Sequence, residues 1–132
     1  MNTNNDIFPL CNQVRETAYA LHRFLRHGHL EKVYENGLVH RLHNAGVKVI
    51  AQHPLAVMDE DGTVLGDYFA DLFVDQRLLV EIKACHALAG EHVAQLLGYL
   101  RSSRIEHGRL INFGSPKLQI KKYALSDEKY LP

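Results

Sequence analysis

Charged residues interrupt two apolar runs that otherwise have the composition of buried β-strands. Asp71 lies within Tyr68–Val74, and both Glu81 and Lys83 lie within Leu78–Ala84. A buried charge destabilises a fold unless it is paired, hydrogen-bonded or bound to a metal. Three such charges on neighbouring runs therefore indicate a metal-binding catalytic centre.

The spacing of these charges decides whether they can meet. Successive side chains of a strand point to opposite faces of the sheet, so Glu81 and Lys83 share one face. Asp71 faces Glu81 if the connecting turn has an odd number of residues, such as Asp75-Gln76-Arg77, or if a bulge intervenes. Two carboxylates then meet beside one ammonium group. The competing interpretation is an ordinary salt bridge between Lys83 and one of the acids.

Two neighbouring carboxylates favour a hard divalent cation, because without one their repulsion would leave one of them protonated. Mg²⁺, or Mn²⁺ in its place, prefers oxygen ligands and accepts one or two carboxylates while it keeps several waters. Asp71 and Glu81 would be ligands, with the backbone carbonyl of Ile82 as a third and Glu31 as an outer ligand through water. Lys83 would orient the attacking water and neutralise the charge that develops on a phosphoryl group.

A polar stripe follows on the next predicted helix, over residues 88–101. His92, Gln95 and Tyr99 fall on one flank of this helix, next to its apolar stripe. Gln95 and Tyr99 would contact phosphate or position Lys83, and His92 would contact substrate. The alternative is an ordinary polar boundary stripe without a catalytic role.

Apolar periodicity predicts an α/β chain that starts with two helical stripes, near residues 9–25 and 30–44. The second stripe carries Glu31 in its first turn, where an acid also suits the helix dipole. It also carries Tyr34, which is either a substrate contact or a core residue. Three strands as a meander, a helix and two further strands then follow, over residues 47–57, 64–74, 78–84, 88–101, 107–113 and 118–125.

Composition sets the broad class of the protein. The 132 residues carry 15 basic and 15 acidic side chains, so the formal net charge is zero. This balance counts against sequence-blind duplex binding by one chain, and we expect a homodimer or a partner protein. Cys11 and Cys85 form no ligand motif. With no targeting or membrane-spanning run visible, we expect a cytoplasmic protein without membrane contact. We expect a flexible tail over residues 1–8 and one domain over residues 9–132.

The motifs together resemble the PD-(D/E)XK nuclease superfamily. Asp71, Glu81-Ile82-Lys83 and Gln95-Leu96-Leu97-Gly98-Tyr99 look like its RecB-like branch with a QxxxY motif. Gly28-x-x-Glu31-x-x-Tyr34 is similar to the signature of the GxxExxY family within that superfamily. The resemblance implies a restriction-endonuclease-like fold, a three-layer α/β/α core with a mixed five-stranded sheet. It also implies that Asp71 and Glu81 are metal ligands and that Lys83 is the catalytic lysine.

Three functional hypotheses follow from these residues. The first is a Mg²⁺-dependent nuclease that hydrolyses phosphodiester bonds in nucleic acid, with DNA as the expected substrate. The second is a non-catalytic module that binds nucleic acid or protein and retains the nuclease fold, as the zero net charge suggests. The third is a small α/β protein whose charged strand residues form an incidental salt bridge.

Overall fold

A computed structural model describes residues 6–128 as one five-stranded sheet with helices on both faces. The strands lie side by side in the order of the chain, from β1 to β5. The elements are α1 Phe8–Leu25, α2 Glu31–Asn44, β1 Val49–Met58, β2 Val64–Val74, β3 Leu78–Lys83, α3 Gly90–Ser103, β4 His107–Asn112, β5 Gln119–Ala124 and a 3₁₀ helix Leu125–Glu128.

The sheet is mixed because one of its four strand pairs is parallel. β1, β2 and β3 form an antiparallel meander, α3 crosses over to place β4 parallel to β3, and β5 returns antiparallel to β4. A parallel pair needs such a crossover, and its helix covers one face of the sheet. The central strand β3 is consequently buried on both faces along nearly its whole length.

Side chains of β3 alternate between two hydrophobic cores. Val80 and Ile82 pack in a core with α1 and α2, whereas Leu79 packs in a second core with Leu96 and Leu100 of α3. The strand period of two therefore assigns Glu81 and Lys83 to the α3 face. This arrangement confirms the predicted three-layer α/β/α core.

Local backbone features match the residue types that form them. The hairpin turn at Asp59–Gly62 is closed by the amide of Asp59 donating to the carbonyl of Thr63 at 2.8 Å, and Gly62 has φ +90°. Gly46, with φ +80°, follows the end of α2. Pro54 lies in β1, an edge strand whose outer side makes no ladder among the described residues.

Other boundaries differ from the sequence prediction. Helix α1 begins at Phe8, inside the predicted tail, while residues 1–5 of that tail and residues 129–132 lie outside the described residues. The division into a tail and one domain stays a prediction. No helix within residues 6–128 is both long enough and apolar enough to span a membrane.

Candidate active site

The turn between β2 and β3 determines which side chains of the two strands lie opposite each other. Val74 pairs with Leu78, and the ladder ends at the pair of Leu72 with Val80. The connection Asp75–Arg77 has three residues, two of them at positive φ. This register confirms the predicted odd-length turn and places Asp71 opposite Glu81.

At Asp71 and Glu81, one position past Leu72 and Val80, the regular ladder between β2 and β3 has ended. The two acid side chains instead accept hydrogen bonds from the backbone of the opposite strand. The backbone amide of Asp71 donates to Oε2 of Glu81 at 2.7 Å, and the amide of Ile82 donates to Oδ2 of Asp71 at 2.7 Å. Each carboxylate thus uses one oxygen to bind the backbone of the opposite strand. Both acids have a second oxygen that these two bonds leave available.

The pairing of β2 with β1 is interrupted at the same level. Ala51 pairs with Leu72 and His53 with Ala70, but the intervening Gln52 and Asp71 are not paired. Gln52 has φ +54°, an uncommon conformation for a residue with a Cβ. Its side chain forms a hydrogen bond that lowers the pKa of Asp71, against the stronger effect of burial. Asp71 therefore lies at a local irregularity of both ladders.

Burial dominates the electrostatics of the acid pair. It raises the pKa of Asp71, and Glu35 adds to that increase. Burial of Glu81, with 3% of its surface exposed, together with repulsion from Asp71, raises the pKa of Glu81 to about 8. The site disfavours two negative charges unless a cation is present.

Lys83 is close to both acids but is held by α3. Its Nζ donates to Oε1 of Gln95 at 3.0 Å, and its charge lowers the pKa of both Asp71 and Glu81 against their net upward shifts. Among residues 6–128 no ion pair joins Lys83 to either acid. The salt-bridge interpretation is therefore wrong, and Gln95 positions the ammonium group.

Two further acids approach from α2. Burial followed by the charge of Asp71 raises the pKa of Glu31, which lies in the first turn of this helix. Glu35, one turn later, is buried and accepts hydrogen bonds from Lys32 at 2.6 Å and from Nε2 of Gln52 at 3.1 Å. Sequence reasoning missed Glu35 and Gln52. The spacing of Glu31 and Glu35, four apart and hence on one helix face, was the available signal for the acid.

The remaining candidate residues take different positions. Tyr99 is buried beside the acids. Burial, followed by the negative charges of Glu81 and Asp71, raises the pKa of Tyr99, and its hydrogen bond with Gln95 opposes this increase. His92 accepts the amide of Ala89 on its Nδ1 at 3.0 Å and so caps the start of α3. Its charge lowers the pKa of Glu31, which places it at the rim of the site.

Tyr34 lies in the core and not at the site surface. Its ring has no exposed area and stacks on Phe113 with centroids 4.8 Å apart. Its hydroxyl donates to the carbonyl of Arg26 at 2.5 Å and accepts the amide of His29 at 3.1 Å. Of the two open interpretations, core packing is the one the structure supports, and Tyr34 fixes the loop around Gly28.

The loop after Lys83 is held by a buried amide on β4. Oδ1 of Asn112 accepts the amides of Cys85 and Gly114, both at 3.0 Å, and its Nδ2 donates to the carbonyl of Cys85 at 3.0 Å and to Gln119 at 2.8 Å. Gly114 packs so tightly on this loop that a Cβ would lie 2.3 Å from the nitrogen of Cys85. Both residues therefore help to fix the end of β3 that carries Lys83.

The donor set fits a hard divalent cation. Asp71 and Glu81 offer oxygens in a buried position where their combined charge is disfavoured, and Mg²⁺ commonly binds one or two carboxylates and keeps its other waters. Within residues 6–128 no three His, Cys, Asp or Glu side chains lie close enough together to hold a metal ion. A cation here would thus depend on two acids with waters or backbone oxygens, such as the predicted carbonyl of Ile82.

The fold and this arrangement of acids and lysine define a restriction-endonuclease-like α/β protein. The chain belongs to the PD-(D/E)XK nuclease superfamily, whose family model matches residues 9–123. No curated protein matches it. It is similar to the crystal structure of SSO0001, with a TM-score of 0.57 and 18% identity, covering 76% of this chain and 58% of that one. The chain thus spans less than two thirds of that protein, and at this identity the likeness concerns the fold alone.

Proposed function

We propose that this chain is a divalent-metal-dependent nuclease that hydrolyses phosphodiester bonds in DNA. The single observation that carries the proposal is a buried Glu81 and a half-buried Asp71 next to a lysine that forms no ion pair with either acid among residues 6–128 and donates its Nζ to Gln95 at 3.0 Å. Membership of the nuclease superfamily supports the same reaction class.

Each residue then has a defined task. When bound, a divalent cation supplies Lewis-acid stabilisation of the phosphoryl group and lowers the pKa of a coordinated water. Asp71 and Glu81 would hold that cation, with the carbonyl of Ile82 and, through water, Glu31 as further ligands. Lys83 stabilises negative charge that develops on the phosphate, and Gln95 keeps its ammonium group in place.

The outer residues complete the proposed site. Tyr99 lies behind the acids and supports Gln95, while His92 at the rim is proposed to contact substrate. Mg²⁺ is the expected cation, with Mn²⁺ as its substitute. The assignment to the GxxExxY family and to the QxxxY branch, the cytoplasmic location and a homodimer or partner protein that helps grip DNA all remain proposals from the sequence.

A second candidate function is a binding module that retains the nuclease fold without catalysis. The absence of a three-ligand metal group within residues 6–128 and the zero net charge favour it. It predicts that binding of nucleic acid or protein is unaffected by Glu81→Gln. Mg²⁺ binding that is lost in Asp71→Asn would contradict it.

The test of the nuclease proposal compares cleavage of supercoiled plasmid and single-stranded DNA in Mg²⁺ or Mn²⁺ with cleavage in EDTA. Lys83→Ala should reduce the rate at least 100-fold, because it removes a charge that stabilises the transition state. Lys121→Ala, at an exposed position of β5, is the matched control and should retain full activity. Cleavage by the wild-type chain that survives Lys83→Ala, or no cleavage of either substrate, would refute the proposal.

A further inference from the structure

A pocket opens beside the candidate active site, between α3 and the outer half of the β1–β2 hairpin. Its volume is about 460 Å³, and its lining includes Val57, Tyr68, Gln95, Gly98 and Tyr99 but no acidic residue. Ligand pockets in proteins typically enclose about 300–1,000 Å³ and combine apolar and aromatic walls with a few polar groups. Arg101 and Ser102 also line it, so the pocket combines aromatic walls with polar groups and one cation, a lining that suits a flat group with hydrogen-bonding edges.

Tyr68 supplies an accessible aromatic surface in this pocket. Its side chain is half exposed, and its ring lies 6.0 Å from that of Tyr99 at an angle of 45°. Gly98 on α3 lines the same pocket, and an added Cβ there would meet only Arg101, at 3.8 Å. A larger residue at Gly98 would project into the same space.

Gln95 connects the pocket with the catalytic residues. It lines the pocket and also accepts the hydrogen bond from Nζ of Lys83 at 3.0 Å. A group that occupies the pocket can therefore contact the amide that holds the ammonium group assigned to the phosphate. In a nucleic acid, the group attached next to a phosphodiester is a nucleoside.

We propose that the pocket binds an unpaired nucleobase adjacent to the phosphodiester at Lys83, so that the substrate is single-stranded or locally unpaired DNA. This inference rests on the proposed function. A base in an intact duplex is stacked and cannot enter a side pocket unless it is extruded. Stacking on an aromatic side chain favours any exposed base, whatever the sequence. The zero net charge of the chain counts against a binding mode that relies on phosphate contacts alone.

Binding of DNA in EDTA tests the pocket without any need for catalysis. Fluorescence anisotropy compares a labelled single-stranded oligonucleotide with the same sequence as a duplex. The wild-type chain should prefer the single strand. Tyr68→Ala should weaken single-strand binding about 10-fold, within the range expected for one lost stacking contact. Tyr68→Phe, which keeps the ring, should bind like the wild type.

The neighbouring residue provides a matched control. Phe69 is an aromatic residue on the same strand with 56% exposure, against 50% for Tyr68, and alternation directs its side chain to the opposite face. Phe69→Ala should leave single-strand affinity within about 2-fold of wild type, because the proposed stacking contact of Tyr68 is intact. Equal weakening by Tyr68→Ala and Phe69→Ala would overturn the inference.

Filling the pocket is the complementary test. Gly98→Leu places a side chain in the pocket that Tyr68 lines. It also replaces a helix-interior glycine, which should leave the melting temperature unchanged or higher. Single-strand affinity should fall by a similar factor to that in Tyr68→Ala. Normal affinity in a folded Gly98→Leu chain would overturn the proposal, as would equal wild-type affinity for duplex and single strand.

The outcomes separate this inference from the nuclease proposal. A chain that prefers single strands through Tyr68 but cleaves nothing supports the pocket and refutes the nuclease. A chain that cleaves duplex and single strand equally, without any effect of Tyr68→Ala, keeps the nuclease and refutes the pocket. If Tyr68→Ala dissociates a homodimer and leaves DNA binding unchanged, the pocket is a protein contact and the inference is wrong.

Discussion

Replacing Glu81 by glutamine should stabilise the metal-free protein at alkaline pH. Burial and the charge of Asp71 raise the pKa of Glu81 from 4.5 to about 8. Between these two pH values the folded state holds a proton that the unfolded state has lost. The free energy of unfolding therefore falls as the pH rises through this window and levels off above about pH 8.

The size of the effect follows from the shift. At about 1.4 kcal/mol per pH unit, the window corresponds to roughly 3–5 kcal/mol of stability lost by the wild type. Glu81→Gln removes this titration, and its amide oxygen can still accept the backbone amide of Asp71. At pH 8.5 in EDTA we expect its melting temperature to exceed that of the wild type by about 10 °C, whereas at pH 4.5 the two should agree within about 3 °C.

Thermal unfolding followed by circular dichroism across this pH range is the assay. Glu16→Gln serves as the control, because Glu16 is exposed on α1 and should show no pH-dependent difference from the wild type. A Glu81→Gln chain that melts below the wild type at pH 8.5 would refute the reasoning. So would a difference that stays constant from pH 4.5 to pH 8.5, since the substitution removes the ionisation of Glu81 and should therefore make the difference depend on pH.

Two further predictions concern the support of the site and its cation. Gly114→Ala should destabilise the fold by at least about 2 kcal/mol in urea unfolding, because the new Cβ would lie within 2.4 Å of backbone atoms of Ala84 and Cys85. Gly62→Ala is the comparison, because Gly62 lies in a turn with open space at φ +90°, where any loss of stability comes from backbone conformation and not from crowding. Saturating Mg²⁺ should raise the melting temperature at pH 8. At 100 times its Kd, Mg²⁺ adds about 2.7 kcal/mol to the free energy of unfolding, and Asp71→Asn should abolish this gain. An increase that persists in Asp71→Asn would place the cation elsewhere.

Much of the site could be predicted because it depends on local rules. Alternation along β3 assigns Glu81 and Lys83 to one face, and the length of the turn at Asp75–Arg77 assigns Asp71 to the register opposite Glu81. Helical spacing places Gln95 and Tyr99 on one flank of α3. Each inference spans few residues, so backbone geometry alone decides it.

The other features depend on contacts between distant segments. Glu35 reaches the site only because α2 packs across β1, where Gln52 contacts it over 17 positions of sequence. The core position of Tyr34 depends on Phe113 of the last loop, and the role of Asn112 depends on Cys85. A single sequence carries no periodic signal for such contacts. For the same reason the sequence left open whether Lys83 forms a salt bridge with one of the acids or donates to another group.

The crossed hydrogen bonds of Asp71 and Glu81 give these two proposed metal ligands an architectural task that Lys83 lacks. Because both acids brace opposite strands through one oxygen each, a descendant that had lost all activity would still gain from Asp, Asn, Glu or Gln at these positions. Lys83 joins no ion pair within residues 6–128 and donates to a partially exposed amide. A natural variant that keeps the acids but has replaced this lysine would therefore be a scaffold, and a genetic survey could separate scaffolds from enzymes by that one codon.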